Sequence, residues 1–336
     1  MKTHFKHINQ AFRTGLAVLL LGSLTTLTSC KEKNNPEDPM PNGQALHARI
    51  LDNREAAVQH FTVGGGTGGA LTADHGTKII ISPNSIGLNG QPVTGNIDIE
   101  FIEIYDKGAM VLQDMSTSGI KPNGDVEALN SAGEFYLNAT QNGQQLEVLT
   151  PISIQSRGVA PADFQSMQVF RAGDALDDGD KWEEADEDND GETDNAEGHE
   201  GPGPNGSFVL NSVFDVSDFG WTNLDRWSSY TGPKTTLFID VPDGYDETNC
   251  NVYVSYDGET GLAKMDIWDT TQEMFTEHYG SLPIGKEVHF IMIADIDGQL
   301  YYKIQGNTII DNHIEVMDNL QPVSEADLNA AINALP

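Results

Sequence analysis

Cysteine is nearly absent, 2 of 336 residues, at positions 30 and 250. The first ends an apolar leader, so Cys250 stands alone in the body of the chain. A lone thiol makes no intramolecular disulfide, and the fold must rest on its own core. Flanked by Thr248-Asn249 and "NVYVSY", Cys250 reads as the opening of a strand, with no base beside it. Basic residues are also scarce, 18 Lys and Arg against 51 Asp and Glu, a net charge of −33. A surface that negative repels phosphate backbones, which excludes nucleic acid as a partner and favours cation binding. No apolar run reaches the roughly 20 residues that cross a bilayer as a helix. Also missing are H-E-x-x-H, G-x-S-x-G and C-x-x-C, and the histidines show no metal-ligand spacing. Repeats of 20 to 50 residues, the mark of solenoids and propellers, are not present either.

What is there begins with an address. Lys2, Lys6 and Arg13 form a basic leader, and "TGLAVLLLGSL" supplies the short apolar core of a secretory signal. The run ends in "LTSC", Leu27 to Cys30, which resembles the lipobox of bacterial lipoproteins. That resemblance implies cleavage before Cys30 and a diacylglycerol on its thiol. Residues 1–29 are thus read as signal peptide. Residues 30–43, polar and rich in Pro, Asn and Gly, are read as the lipidated Cys and a flexible tether. Loss of the leader removes three basic residues and no acidic one, which deepens the net charge from −33 to −36.

The remaining chain alternates short apolar runs with turn signals. "TKIIISP", "NIDIEFIEIYD", "GEFYLNATQNGQQLEVL" and "TPISIQS" predict strands, and Asn142-Gly143 inside the third predicts a type I′ hairpin. Further strands are expected in "SMQVFRAG", "SFVLNSV", "TTLFIDVPD", "NVYVSYDGETGLAKMDIW", "KEVHFIMIADIDGQLYYKIQG" and "NHIEVMD". Helical periodicity is scarce until the end. There Ser324, with Asp327 three residues on, caps a run that sets Leu328, Ala331, Ile332 and Leu335 on one face. The expected fold is all-β, two β-sandwich-like domains in tandem with a C-terminal helix over 324–335. The Gly-Pro break in "SSYTGPK" divides them into 44–232, which carries an acidic insertion at 174–206, and 233–336.

The opening of the first block, "GGALTADHGTKIIISPNSIGLNGQPVTGNIDIEFIEI", resembles a ZU5-type β domain over Thr62 to Gln155. Gly68, Gly69 and Leu71 stand for its turn, and Ile81-Ser82-Pro83 for its corner, with a Ser inserted. His60-Phe61-Thr62 resembles the cleavage triplet of self-cutting domains of this kind, but precedes the fold instead of ending it. "FGWTNLDRW", Phe219 to Trp227, is similar to the Gly-Trp-x-Asn-x-Asp-Arg-aromatic strand of Bacteroidota-type exported lipoproteins. The resemblance implies a lipid-anchored protein of the cell envelope, at the outer membrane, and assigns it no reaction. In this stretch Trp221, Asn223, Asp225, Arg226 and Trp227 could form a sugar platform, with indole faces stacking and polar groups binding hydroxyls. The competing reading makes the two indoles anchors of the seam between the blocks.

"GGGTGG", Gly64 to Gly69, contains G-x-G-x-x-G, but a turn and a strand follow where a nucleotide site needs a helix. The other motif of interest lies in a stretch from Asp174 to Glu200 that holds 14 acidic residues and one basic residue, Lys181. Within it "DEDNDGETDNAE" meets the spacing of a calcium loop. Asp186, Asp188 and Asp190 alternate as ligands, Gly191 permits the turn, and Glu192 would offer its carbonyl. Asp194 would act through water and Glu197 by both oxygens. "GHEGPGPNG" follows, which no exiting helix tolerates, so an EF-hand is excluded and a helix-free calcium loop or a plain acidic insertion remains.

The sequence therefore points to a membrane-anchored, calcium-assisted binding or structural protein, not an enzyme. Its partners are the membrane, through the lipid, and a protein or glycan ligand at the envelope. Two alternatives stay open, a glycan hydrolase built from carboxylates that sequence cannot pair, and a component of an envelope sensor.

Overall fold

A computed structural model describes residues 40–157, 167–179, 181–186, 193–202 and 208–336. The period-2 segments become strands. The first part of the chain supplies β1 (Gln59–Gly64), β2 (Gly69–Thr72), β3 (Lys78–Ile81), β4 (Asn96–Ile104), β5 (Val126–Gln141) and β6 (Ile152–Gln155). It continues with β7 (Gln168–Arg171), β8 (Glu183–Glu184), β9 (Glu197–Pro202), β10 (Phe208–Val216) and β11 (Gly220–Trp227). An inner sheet ordered β1-β4-β5-β11-β7-β8 packs on an outer sheet ordered β9-β10-β6-β3-β2.

The second part supplies β12 (Lys234–Asp240), β13 (Cys250–Tyr256), β14 (Leu262–Lys264), β15 (Ile267–Asp269) and β16 (Met274–Pro283). Then come β17 (Glu287–Ile296), β18 (Gln299–Thr308), β19 (His313–Val316) and β20 (Gln321–Pro322). Its inner sheet runs β14-β13-β17-β18-β20, and its outer sheet β15-β16-β12-β19, where the β12–β19 pair is parallel. The all-β, sandwich-like expectation holds, and the change from one pair of sheets to the next falls between Trp227 and Lys234.

Three cores explain the stacking. One fills the first sandwich (Ile79, Ile99, Phe101, Phe135, Ile154, Phe214) and another the second (Leu237, Ile239, Val252, Phe275, Phe290, Met292). The third lies between the two inner sheets. It joins Ile102, Tyr136 and Trp221 to Tyr253, Ile291 and Ile293 through a layer of helices. Those helices are α1 (Gly43–Ala57), α2 (Lys107–Gln113) and α3 (Glu325–Asn333). Because an inner sheet is covered on both faces, β5 is buried without a break from Leu129 to Leu137.

Local chemistry sets the turns and caps. Asn142 and Gly143 both have positive φ, 52° and 76°, as the predicted I′ hairpin requires. Ser324 caps α3 by accepting from Asp327 N at 3.1 Å, and Leu328 and Ile332 are buried beneath it. Two helices differ from expectation. In α1, capped by Asn42, the buried face is Leu46, Ile50 and Arg54, so an arginine takes the third apolar place and blunts the pattern. In α2 the run Ala109 to Leu112 has no polar interruption, which hides the period of 3.6 residues.

The acidic segment is not a mere appendage. It contributes β8 to the inner sheet and β9 to the outer one. Trp182 within it is fully buried in the shared core and donates its indole N–H to Ser116 O at 2.7 Å. Among the described residues no helix is long and apolar enough to cross a membrane.

Candidate functional site

The sugar platform expected from 220–227 is not formed. These residues are β11, at the centre of the inner sheet, and Trp221, Asn223 and Asp225 are all fully buried. A stacking face needs solvent on one side, and Trp221 has Tyr136 at 5.2 Å and the Arg54 guanidinium at 5.7 Å from its ring centroid. Trp227 is half-buried. It meets Phe170 edge-on, donates its indole N–H to Glu184 Oε1 at 2.6 Å, and lies under Lys121 Nζ. Arg226, on the opposite face of the strand, is half-buried too. The two indoles are thus seam anchors.

Around them the sheet builds a polar row inside an apolar layer. Register places Asn223 opposite Glu134 and Asp225 opposite Ser131, so Ala132 and Gly133 of β5 together face the single residue Leu224. This is a bulge, and Gly133 makes it possible. Its φ is 138°, and a Cβ there would meet the Tyr105 ring at 2.6 Å. The bulge brings Ser131, Asn223, Glu134 and Asp225 to the face that looks into the shared core. Ser131 Oγ donates to Asn223 Oδ1 at 3.0 Å, and Asn223 Nδ2 donates to Asp225 Oδ2 at 2.7 Å.

Beyond that chain the row is short of donors. Glu134 is fully buried, and among the described residues neither of its oxygens has a hydrogen-bond partner, nor does Asp225 Oδ1. Burial pushes the Asp225 carboxyl up to about 8, against the pull of the Ser131 hydroxyl and the Asn223 amide. Burial, reinforced by the neighbouring Asp225 charge, holds Glu134 well above the usual carboxylate range. The nearby cation does not reach them. Arg54 donates only to backbone carbonyls, to Gln113 O at 2.7 Å, Asp178 O at 2.6 Å, Leu176 O at 2.9 Å and Asp114 O at 3.2 Å. Asp114, by contrast, is served, by Tyr253 Oη at 2.6 Å and Lys264 Nζ at 2.7 Å.

Of the candidate calcium ligands, Asp188, Asp190 and Glu192 lie outside the described residues, as does the lipidation residue Cys30. The two ends of the loop are drawn together, since Asp194 N donates to Ala185 O at 2.9 Å and Thr193 Oγ1 to Glu184 Oε2 at 2.8 Å. Asp186 stands at that closed neck, while Glu197 opens β9 opposite Val213. Among the described residues no three His, Cys, Asp or Glu side chains gather as a metal group. Cys250 opens β13 as expected, buried, its thiol donating to Asp246 O at 3.3 Å and pushed up by that burial. His60-Phe61-Thr62 lies in regular β1, paired with Glu100, Ile99 and Asp98, with no positive φ to mark a strained bond.

The space available is modest. Where the two sandwiches meet, Glu127, Tyr256, Lys264 and Glu277 help line a cavity of about 60 Å³. That admits a few waters and no sugar ring. A groove of about 450 Å³ runs between Arg171, Lys181, Glu184 and Asp218, open to solvent and mostly polar.

A second feature lies on the far side of the molecule. Strand β19 reverses the usual alternation, with His313 and Glu315 turned inward and buried and Ile314 and Val316 outward, 54% and 49% exposed. Inside, His313 Nδ1 accepts from Ile310 N at 3.2 Å and Nε2 meets Glu315 Oε2 at 2.9 Å. Glu315 also accepts from Asn307 Nδ2 at 2.9 Å. The polar pair is thereby satisfied. Ile310, 60% exposed, precedes this edge strand, which among the described residues pairs with β12 alone.

No protein-family model matches the chain, and comparison with curated proteins gives no match. The seam and the reversed strand were not legible as sites in sequence. Glu134 and Ile314 each sit in a period-2 pattern that is silent about which face the next layer covers.

Proposed function

We propose that this chain is a lipid-anchored exported protein of the cell envelope that acts by binding through its exterior, assisted by calcium at the acidic loop. The address rests on the basic leader, the apolar run and "LTSC" ending at Cys30. The binding role rests on β19. A soluble edge strand normally shows charge outward, and one that buries its His-Glu pair and presents Ile310, Ile314 and Val316 has an apolar patch to cover. The chain's net charge of −33 favours a partner whose apolar contact is flanked by basic groups. The loop contributes through its closed neck at Ala185 and Asp194, which shortens the path a bound cation must bridge.

The test has two arms. Mass analysis of the native product is expected to find an acylated Cys30 at the new amino terminus, and Cys30→Ala is expected to release the protein from membranes. Site-directed cross-linkers at Ile314 and Val316 are expected to trap one discrete envelope partner, lost in Ile314→Ser/Val316→Ser with the fold intact. An unmodified Cys30, or steady hydrolysis of a glycan by the pure protein, overturns the reading.

A further inference from the structure

Eight buried side-chain atoms lack a hydrogen-bond partner among the described residues, and three of them are carboxylate oxygens on one face of the inner sheet, both of Glu134 and Oδ1 of Asp225. Oε1 of Gln113 is another of the eight. Glu134 and Asp225 share a face through Asn223, which is the cross-strand neighbour of the first and hydrogen-bonded to the second. The two acids are diagonal neighbours across the bulge, a spacing of roughly 7–8 Å that a long side chain such as Glu134 spans, so both carboxyls can serve one small ion. Gln113 ends α2, which packs on that face with Met110 and Val111. A buried oxygen without a donor is expensive, and a cluster of them asks for a positively charged occupant.

Among the described residues the neighbouring cations do not fill that place, and Arg226 lies on the other face of β11. Arg54 from α1 spends its guanidinium on four carbonyls, and Lys264 from β14 is taken by Asp114, which also holds Tyr253 of β13. Asp177 adds further negative charge beside Arg54.

We propose that Glu134 and Asp225 are the anionic half of a buried site for a hard divalent cation, with the amide oxygen of Gln113 at hand for its shell. The donor set is all oxygen, two carboxylates and a neutral amide, which suits calcium and disfavours zinc or copper. Calcium also tolerates an irregular shell better than magnesium does. Two carboxylates match its charge, so the filled site is neutral within the layer. Burial raises both carboxyls and a metal takes its carboxylate ligands deprotonated, so calcium binding is expected to release protons to solvent. An ion here would join β5, β11 and α2, fixing the helical layer to the inner sheet. The site is separate from the 186–197 loop, whose carboxylates lie in a different part of the sequence.

The test is calorimetric. The mature protein, stripped of metal, is titrated with calcium to roughly 10 mM, beyond the weak end of extracellular sites. The titration is run at pH 7 in two buffers of different ionisation heat, then repeated with magnesium. Expected is a calcium isotherm whose heat depends on the buffer, showing proton release, with magnesium at least tenfold weaker. Glu134→Gln/Asp225→Asn is expected to lose this isotherm while keeping a metal-free Tm at or above the parent's, because two buried acids become neutral amides. Asp188→Ala/Asp190→Ala is expected to retain it. A calcium heat that is absent, or present without proton release, overturns the proposal from the parent alone. So does binding that survives in the Gln/Asn variant, or that disappears only in the loop variant.

Discussion

The guanidinium of Arg54 lies over the indole of Trp221, 5.7 Å from its centroid. One helix therefore closes the face of a ring that the sequence offers as a ligand platform. Arg54 is 3% exposed, and its donors satisfy carbonyls of α2 and of the 176–178 segment. Arg54→Met keeps much of the volume and orphans those carbonyls. It is expected to lower unfolding free energy by on the order of 3 kcal/mol in urea denaturation, well beyond a surface substitution.

The seam carboxyls set a pH dependence. Asp225 titrates near 8 in the folded protein, raised by burial, and near 4 when unfolded. The native state binds the proton more tightly, so the associated stability is full below about pH 4 and is lost as pH rises towards 8. In metal-free buffer the parent is expected to weaken across that window by about 1.4 kcal/mol per pH unit for each raised carboxyl. Asp225→Asn should flatten the slope in denaturation series at pH 5, 6, 7 and 8. An equal slope in both proteins would remove Asp225 as the cause.

Gly68 is seated against the corner at Ile81 to Pro83. Its φ is 62°, and a Cβ would lie 2.2 Å from Ile81 O. Gly68→Ala is expected to cost about 2 kcal/mol or more, read as a lower Tm, whereas Gly66→Ala, with open space around it, should change little.

The acidic loop is tested by its own ligands. With Glu134→Gln/Asp225→Asn as background, any remaining calcium isotherm is expected to belong to 186–194. It should vanish on Asp188→Ala/Asp190→Ala. A background with no calcium heat at all would reduce the loop to an acidic insertion.

Much of the fold was legible because alternation survives wherever one face is wet. β12 alternates residue by residue from Lys234 to Asp240, and the α3 cap at Ser324 sits where the sequence places it. Legibility failed where a second layer covers an inner sheet. Glu134, between Gly133 and Phe135, reads as the wet face of a strand until helices and a second sandwich bury it. The reversed β19 fails for the same reason, since a parallel pairing decided by distant β12 chooses which side of His313 and Ile314 faces in. The motif at 220–227 was conspicuous in sequence, but its residue types fit a sugar cleft and a dry seam equally well.

Helix α1 carries one more implication. Asn42 N donates to Asp295 O at 2.8 Å, and Arg49 binds both Asp295 and Glu325 at 2.7 Å. The chain thus enters its folded body through the middle layer, gripping the later half before the earlier half begins. Tension applied at the amino-terminal end is received there and divided between both sandwiches, which leaves the outermost strands unloaded and their faces steady.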